Sequence, residues 1–221
     1  MNVLGYFVCY VYLFAVIFGV GMLQKIFQFS IETSRKIIHT LIVFTWIFLY
    51  HFFWKDWQIV IVPITFIIIN ALSYRFKLFK MIEREDSTNN HMGTIYFSIG
   101  ITGLMILALL LPSTIMATGI ATFAICFGDG PAALIGAKAK RKVHIRPDKT
   151  LQGTAACFVG ACVGLLLFVF IMPVDIPIWA ILTLSFATAL FELVGKGLDN
   201  FSILFGVYLI ASIMIRNGVI L

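Results

Sequence analysis

Charge is what this chain lacks most. Only 12% of its 221 residues are Asp, Glu, Lys or Arg, about half the share that coats an ordinary water-soluble domain. Carboxylates are scarcer than cations, 10 against 16. Cysteine chemistry is missing too: Cys9, Cys126, Cys157 and Cys162 lie in or beside apolar stretches without CxxC spacing, so neither a zinc site nor a disulfide framework is suggested, and buried inert thiols are the plain reading. Met1-Asn2-Val3 offers no positive n-region, and no small-residue cleavage site stands out, so the first apolar run is expected to stay as a helix rather than be removed. The net charge of +6 has no soluble segment to carry it, which points to lipid headgroups and away from nucleic acid as the partner.

What is abundant is apolar surface. A chain that is 61% apolar cannot hide it inside one small globule, so the expected fold class is all-α, a polytopic integral membrane helical bundle. Crossing the hydrocarbon core takes roughly 20 mostly apolar residues per helix. Runs of about that length predict about eight transmembrane helices in one domain over residues 1–221, near 3–23, 37–54, 57–72, 94–111, 113–127, 151–172, 177–192 and 201–215. The third, fifth and seventh read as short. All cations but Lys55 and Arg216 fall in the loops 24–36, 73–93, 128–150 and 193–200. Loops that stay in the cytoplasm carry the Lys and Arg excess, so those four are expected there, with both termini on the opposite, non-cytoplasmic side.

Ionisable residues at helix ends in such a chain are candidates for function, and they gather in four clusters. Arg35, Lys36 and His39 open the second span after Thr33 or Ser34 as cap; Arg35 and His39, four apart, share a helix face, although Arg and Lys at an interface also snorkel without function. Gly93 and Thr94 begin the fourth span after the mixed-charge stretch 83–86, where a glycine lets backbone or lipid approach closely. The densest cluster is 128–150. Pro131 suits the first position of a helix capped by Gly130 or Asp129, and Thr150 the start of the sixth span, so two helix N-termini beside Lys138, Lys140, Arg141, Lys142, His144 and Arg146 predict a polyphosphate cradle. Asp129 facing those phosphates would hold a divalent metal such as Mg²⁺. A basic patch drawn to anionic lipid is the rival reading of the Lys and Arg run. In the fourth cluster, 192–200, Glu192 is a candidate metal ligand or base, Asp199 a metal ligand or a helix cap, and Lys196 and Asn200 lie between and beside them.

Taken in order, RKIIH from Arg35, GTIYF from Gly93, GDGPAALIG from Gly128, KTLQGT from Lys149 and ELVGKGLDN from Glu192 resemble the CTP-dependent lipid-alcohol kinases: dolichol kinase, phytol kinase and the yeast-type CTP-dependent diacylglycerol kinase. The resemblance runs from about residue 35 to residue 205. It implies transfer of the γ-phosphoryl group of CTP to the hydroxyl of a polyprenol-type alcohol or diacylglycerol at the cytoplasmic membrane face, with a divalent cation. It also assigns the segment Gly128 to Gly153 to nucleotide binding, with Asp129, Lys149 and Thr150 central. There are two departures from the family pattern: Gln152 stands where a Glu is usual, and Ala139 and Lys140 where a second glycine is common. Gln152 can still hydrogen-bond a phosphate or metal-bound water, without supplying negative charge.

The residue chemistry suits phosphoryl transfer, which demands charge neutralisation and in-line positioning more than a strong nucleophile. Asp129 with Glu192 or Asp199 would hold Mg²⁺; Lys149 with some of Lys138, Lys142 and Arg146 would offset charge on the leaving nucleotide, alongside the backbone of Gly128, Gly130 and Gly153. His39 or one of the acids would accept the acceptor's proton. Two other functions remain open: a phosphatidate cytidylyltransferase-like enzyme, which would release pyrophosphate instead of CDP, and a non-enzymatic lipid transporter or scaffold, which would favour broken helices at mid-membrane.

Overall fold

The computed structural model describes residues 2–76, 93–139, 142–147, 149–195 and 198–221. Among these residues it is all-α apart from one two-stranded hairpin. Helices α1 (Val3–Phe27), α2 (Ile31–Leu41), α3 (Thr45–Phe53), α4 (Ile61–Phe76) and α5 (Gly93–Leu110) precede α6 (Ile115–Lys138), strands β1 (His144–Arg146) and β2 (Lys149–Thr150), and helices α7 (Leu151–Ile171), α8 (Ile178–Val194) and α9 (Asp199–Arg216). Seven helical segments among the described residues are long and apolar enough to cross a membrane. Ile178–Val194, also apolar, has 17 residues. Helices answer the shortage of charge directly: in lipid every backbone N–H and C=O must find a partner within the protein, and a helix supplies them from its own chain. Of the three spans expected to be short, only the seventh is. The third continues to Phe76 and the fifth to Lys138.

The chain divides into two compact units, Met1–Leu110 and Leu111–Leu221. In the first, α1 packs on α2, α3 and α4, and α4 on α5. Ser30, not Thr33 or Ser34, caps α2: its hydroxyl accepts from the Thr33 N–H at 3.1 Å. The second expected span is one rod interrupted by a 3-10 turn, Ile42–Phe44, and Tyr12 of α1 donates its hydroxyl to the Leu41 carbonyl at 2.6 Å where α-helical bonding gives way. Gly5 lets α1 meet α3: a Cβ there would lie 2.7 Å from Phe52 Cβ. Between α4 and α5, Asn70 Nδ2 donates to Ser98 Oγ at 3.0 Å.

In the second unit α6 is the core. From Ala117 to Cys126 it is buried all round, because α7, α8 and α9 all pack on it. Apolar attraction does not drive helices together inside lipid, so small residues that permit close backbone contact must do so. Gly153, Cys157, Gly160, Ala161 and Gly164 supply the buried stripe on α7. At one end of the unit the segment after α7 pairs with the chain terminus, Asp175 and Leu221 exchanging backbone hydrogen bonds at 2.8 and 3.1 Å. At the other end lie the hairpin and the start of α9.

Candidate functional site

The GDGP segment is not a helix start. Residues 128–131 lie inside α6, which runs without a break from Ile115 to Lys138, with Pro131 as an internal proline. The free N–H groups expected before Pro131 are therefore absent from that position, and one of the two predicted N-termini of the phosphate cradle is lost. Proline inside a helix removes the hydrogen bond to the carbonyl four residues back, here that of Phe127. Gly160 of α7 packs on this carbonyl so closely that any Cβ at 160 would collide with it, and the same Cβ would meet Pro131 Cγ at 3.2 Å. A neighbouring helix thus covers the defect, as membrane helices allow. Gly128 also serves packing: a Cβ there would lie 3.1 Å from Cys157 Sγ on α7 and 3.2 Å from Thr188 Cγ2 on α8. Gly130 is buried, while Asp129 beside it is half-buried.

The second predicted N-terminus is present. Thr150 caps α7, its hydroxyl accepting from the Gly153 N–H at 3.1 Å. Two glycines draw α6 and α7 together around that hydroxyl: a Cβ at Gly136 would lie 3.0 Å from Thr150 Oγ1, and one at Gly153 3.0 Å from the Ala132 carbonyl. The next N–H is used as well, Leu151 donating to the Val143 carbonyl at 2.8 Å. Gln152 returns the contact, its Oε1 accepting from the Val143 N–H at 3.2 Å. Gln152 thus ties the residue before β1 to the first turn of α7. β1 and β2 pair antiparallel, with His144 opposite Thr150 and Arg146 opposite Lys149.

That register turns Lys149 inward to an ion triad. Its ammonium lies 2.5 Å from Glu192 Oε1 and 2.6 Å from Asp199 Oδ2. The three side chains are 13%, 7% and 25% exposed. Asp199 does not cap α9; it stands at the first helical position with its carboxylate on Lys149. Gly195 makes this possible, because a Cβ there would lie 2.8 Å from Asp199 Cα. Arg146 braces the same corner by donating from Nη1 to the Leu193 carbonyl. Burial works to lower the Lys149 pKa, but the hydrogen bonds from Asp199 and Glu192 and the charge of both outweigh it, and the ammonium is held above its ordinary value. Asp129 and Asp199 both lie within electrostatic range of Glu192.

Of the remaining candidates, Lys138 and Lys142 are exposed near this end of the unit and Asn200 is half-buried. Lys196 lies outside the described residues, as do residues 83–86, Lys140, Arg141 and Asp148. Arg35, Lys36, His39 and Gly93 belong to the first unit. There Arg35 pairs with Glu32 at 2.9 Å, and His39 meets Phe97 edge-on with ring centroids 4.4 Å apart, which joins the RKIIH and GTIYF motifs. Gly93 is the first residue of α5.

Among the described residues no three His, Cys, Asp or Glu side chains converge as a ready metal cage. A Mg²⁺ ion commonly takes only one or two carboxylates, with water and phosphate completing its shell, and the triad fits that pattern. Glu192 Oε2 and Asp199 Oδ1 are buried with no hydrogen-bond partner among the described residues. These are two anionic oxygens of one pair, in want of positive charge. What sequence reading missed is that Lys149 joins the two acids, and that Gly195 and Arg146 hold the corner; the only signal was a glycine placed midway between Glu192 and Asp199. No family model, curated protein or solved structure matches the chain.

Proposed function

We propose that the protein is a CTP-dependent kinase of a membrane lipid alcohol, of the polyprenol, dolichol or phytol type or diacylglycerol, acting at the cytoplasmic face. The observation that carries this reading is the Lys149, Glu192 and Asp199 triad. It unites the KTLQGT and ELVGKGLDN motifs at one end of the second unit, beside the cation-bearing hairpin. In the proposed reaction the alcohol oxygen forms a bond to the γ-phosphorus, the bond between that phosphorus and the β,γ-bridging oxygen breaks, CDP leaves, and the hydroxyl proton passes to a basic group of the chain. Glu192 and Asp199, with Asp129 nearby, would hold Mg²⁺, which neutralises phosphate charge when bound. Lys149, with Lys138, Lys142 and Arg146, would offset phosphate charge. The acceptor's apolar body would stay in the bilayer.

The test is radiolabel transfer from γ-labelled CTP into a lipid extract by the purified protein with Mg²⁺, followed by identification of the labelled lipid. Labelled lipid with release of CDP is the expected result. Release of pyrophosphate with CMP retained on the lipid would assign a cytidylyltransferase instead. No phosphorylated lipid from a panel of alcohols, together with full biological activity in Asp129→Ala, would remove the enzyme reading.

A further inference from the structure

Lys149 stands where a bridging cation would stand. One ammonium, at 2.5 and 2.6 Å, links carboxylates from the end of α8 and the start of α9. Within the triad two carboxylates share one ammonium. Glu192 is buried, and its Oε2, like Asp199 Oδ1, has no hydrogen-bond partner among the described residues. An anionic oxygen withdrawn from water without a donor is costly, and both such oxygens belong to the pair that grips Lys149. The acids are carried by helices, whereas Lys149 is a point charge on a flexible four-carbon stem in a two-residue strand. The movable member of the triad is therefore its positive one. Its departure would leave carboxylate oxygens suited to a hard divalent cation.

We propose that Lys149 is the resident counter-ion of a divalent-cation site formed by Glu192 and Asp199: ammonium and cation compete for the same carboxylates, and arrival of the cation releases Lys149 toward an anionic ligand. This rests on the cation half of the reading above and requires neither CTP nor a lipid acceptor. It makes the site self-compensated when empty, and it couples cation and phosphate binding, because the event that fills the acids also frees the lysine.

The experiment uses Mn²⁺ alone as the probe, its binding to the full chain in detergent followed by electron paramagnetic resonance. Lys149→Met should bind Mn²⁺ at least about fivefold more tightly than wild type, the lower end of ordinary coupling between sites. Adding Glu192→Gln to that variant should abolish the gain. A second measurement needs no variant to fold: in wild-type protein, labelling of Lys149 by an amine-directed reagent, read by mass spectrometry of its peptide, should rise with Mn²⁺ along the binding curve. Equal Mn²⁺ affinity in wild type and Lys149→Met, no binding by either, or Lys149 labelling indifferent to Mn²⁺ overturns the proposal. Failure of the CTP transfer assay leaves these readouts untouched, so the two readings stand or fall separately.

Discussion

Lys149 answers for two acids at once, and its removal leaves both in a poorly hydrated corner. Breaking a buried pair by deleting one partner costs more than the pair contributes, because an uncompensated charge remains. Lys149→Met should therefore lower unfolding stability by about 3 kcal/mol without divalent cations, measured by denaturant titration in detergent, and Mn²⁺ should restore part of it. The pH dependence has a definite sign. Since the folded-state pKa of Lys149 is raised above its ordinary 10.5, its stabilising contribution is fully present below about pH 10.5 and is lost as the pH rises through the higher folded value. Wild-type protein should lose stability across that alkaline window more steeply than Lys149→Met. Glu192 could be singled out from sequence because a carboxylate one turn from the end of an apolar helix has no capping role to explain it. Lys149 could be singled out too, but its pairing with Glu192 could not, since 43 residues separate the two and no local periodicity registers such a contact.

At the level of elements, apolar run length put a helical segment at each expected span among the described residues, because a membrane span has few ways to satisfy its backbone except by continuing, but it missed the start of α2 and the far end of α6. The Thr150 cap was legible for a similar reason, as hydroxyl side chains at helix starts compete well for orphan N–H groups. Thr150→Ala should cost about 1 kcal/mol and Thr150→Ser much less, compared by thermal unfolding. The GDGP segment was misread because a Gly-Asp-Gly-Pro run in water is a turn followed by a helix. Within the bundle, α7 and α8 press on Gly128, and Gly160 covers the carbonyl that Pro131 leaves without its N–H donor, so the helix runs through. Overpacking here is severe: Gly160→Ala should destabilise by about 1–3 kcal/mol, read from the same unfolding curves, whereas alanine at Gly19, where a Cβ meets nothing within 4 Å, should be tolerated.

For the whole molecule, the sign of the loops predicts topology in a form that labelling can check. Single cysteines introduced at the exposed positions Lys142 and His144 should react with a membrane-impermeant thiol reagent only from the cytoplasmic side, and one at Lys55 only from the other. Cys9, Cys126 and Cys157 are buried and Cys162 is partly exposed, so the labelling is read in a Cys162→Ser background. The same asymmetry appears inside the second unit. Its basic hairpin and acid pair occupy one end, and the Asp175 and Leu221 backbone pairing ties the other.

The Pro131 and Gly160 contact joins two omissions, an absent N–H on one helix and an absent side chain on its neighbour. Each is harmless only in the company of the other. If Pro131→Ala returns a donor to the Phe127 carbonyl and draws it back into α6, the room needed for a methyl at 160 opens in the same stroke. The two sites should then be non-additive in a double-mutant cycle, and in any lineage of this protein they should drift as a pair.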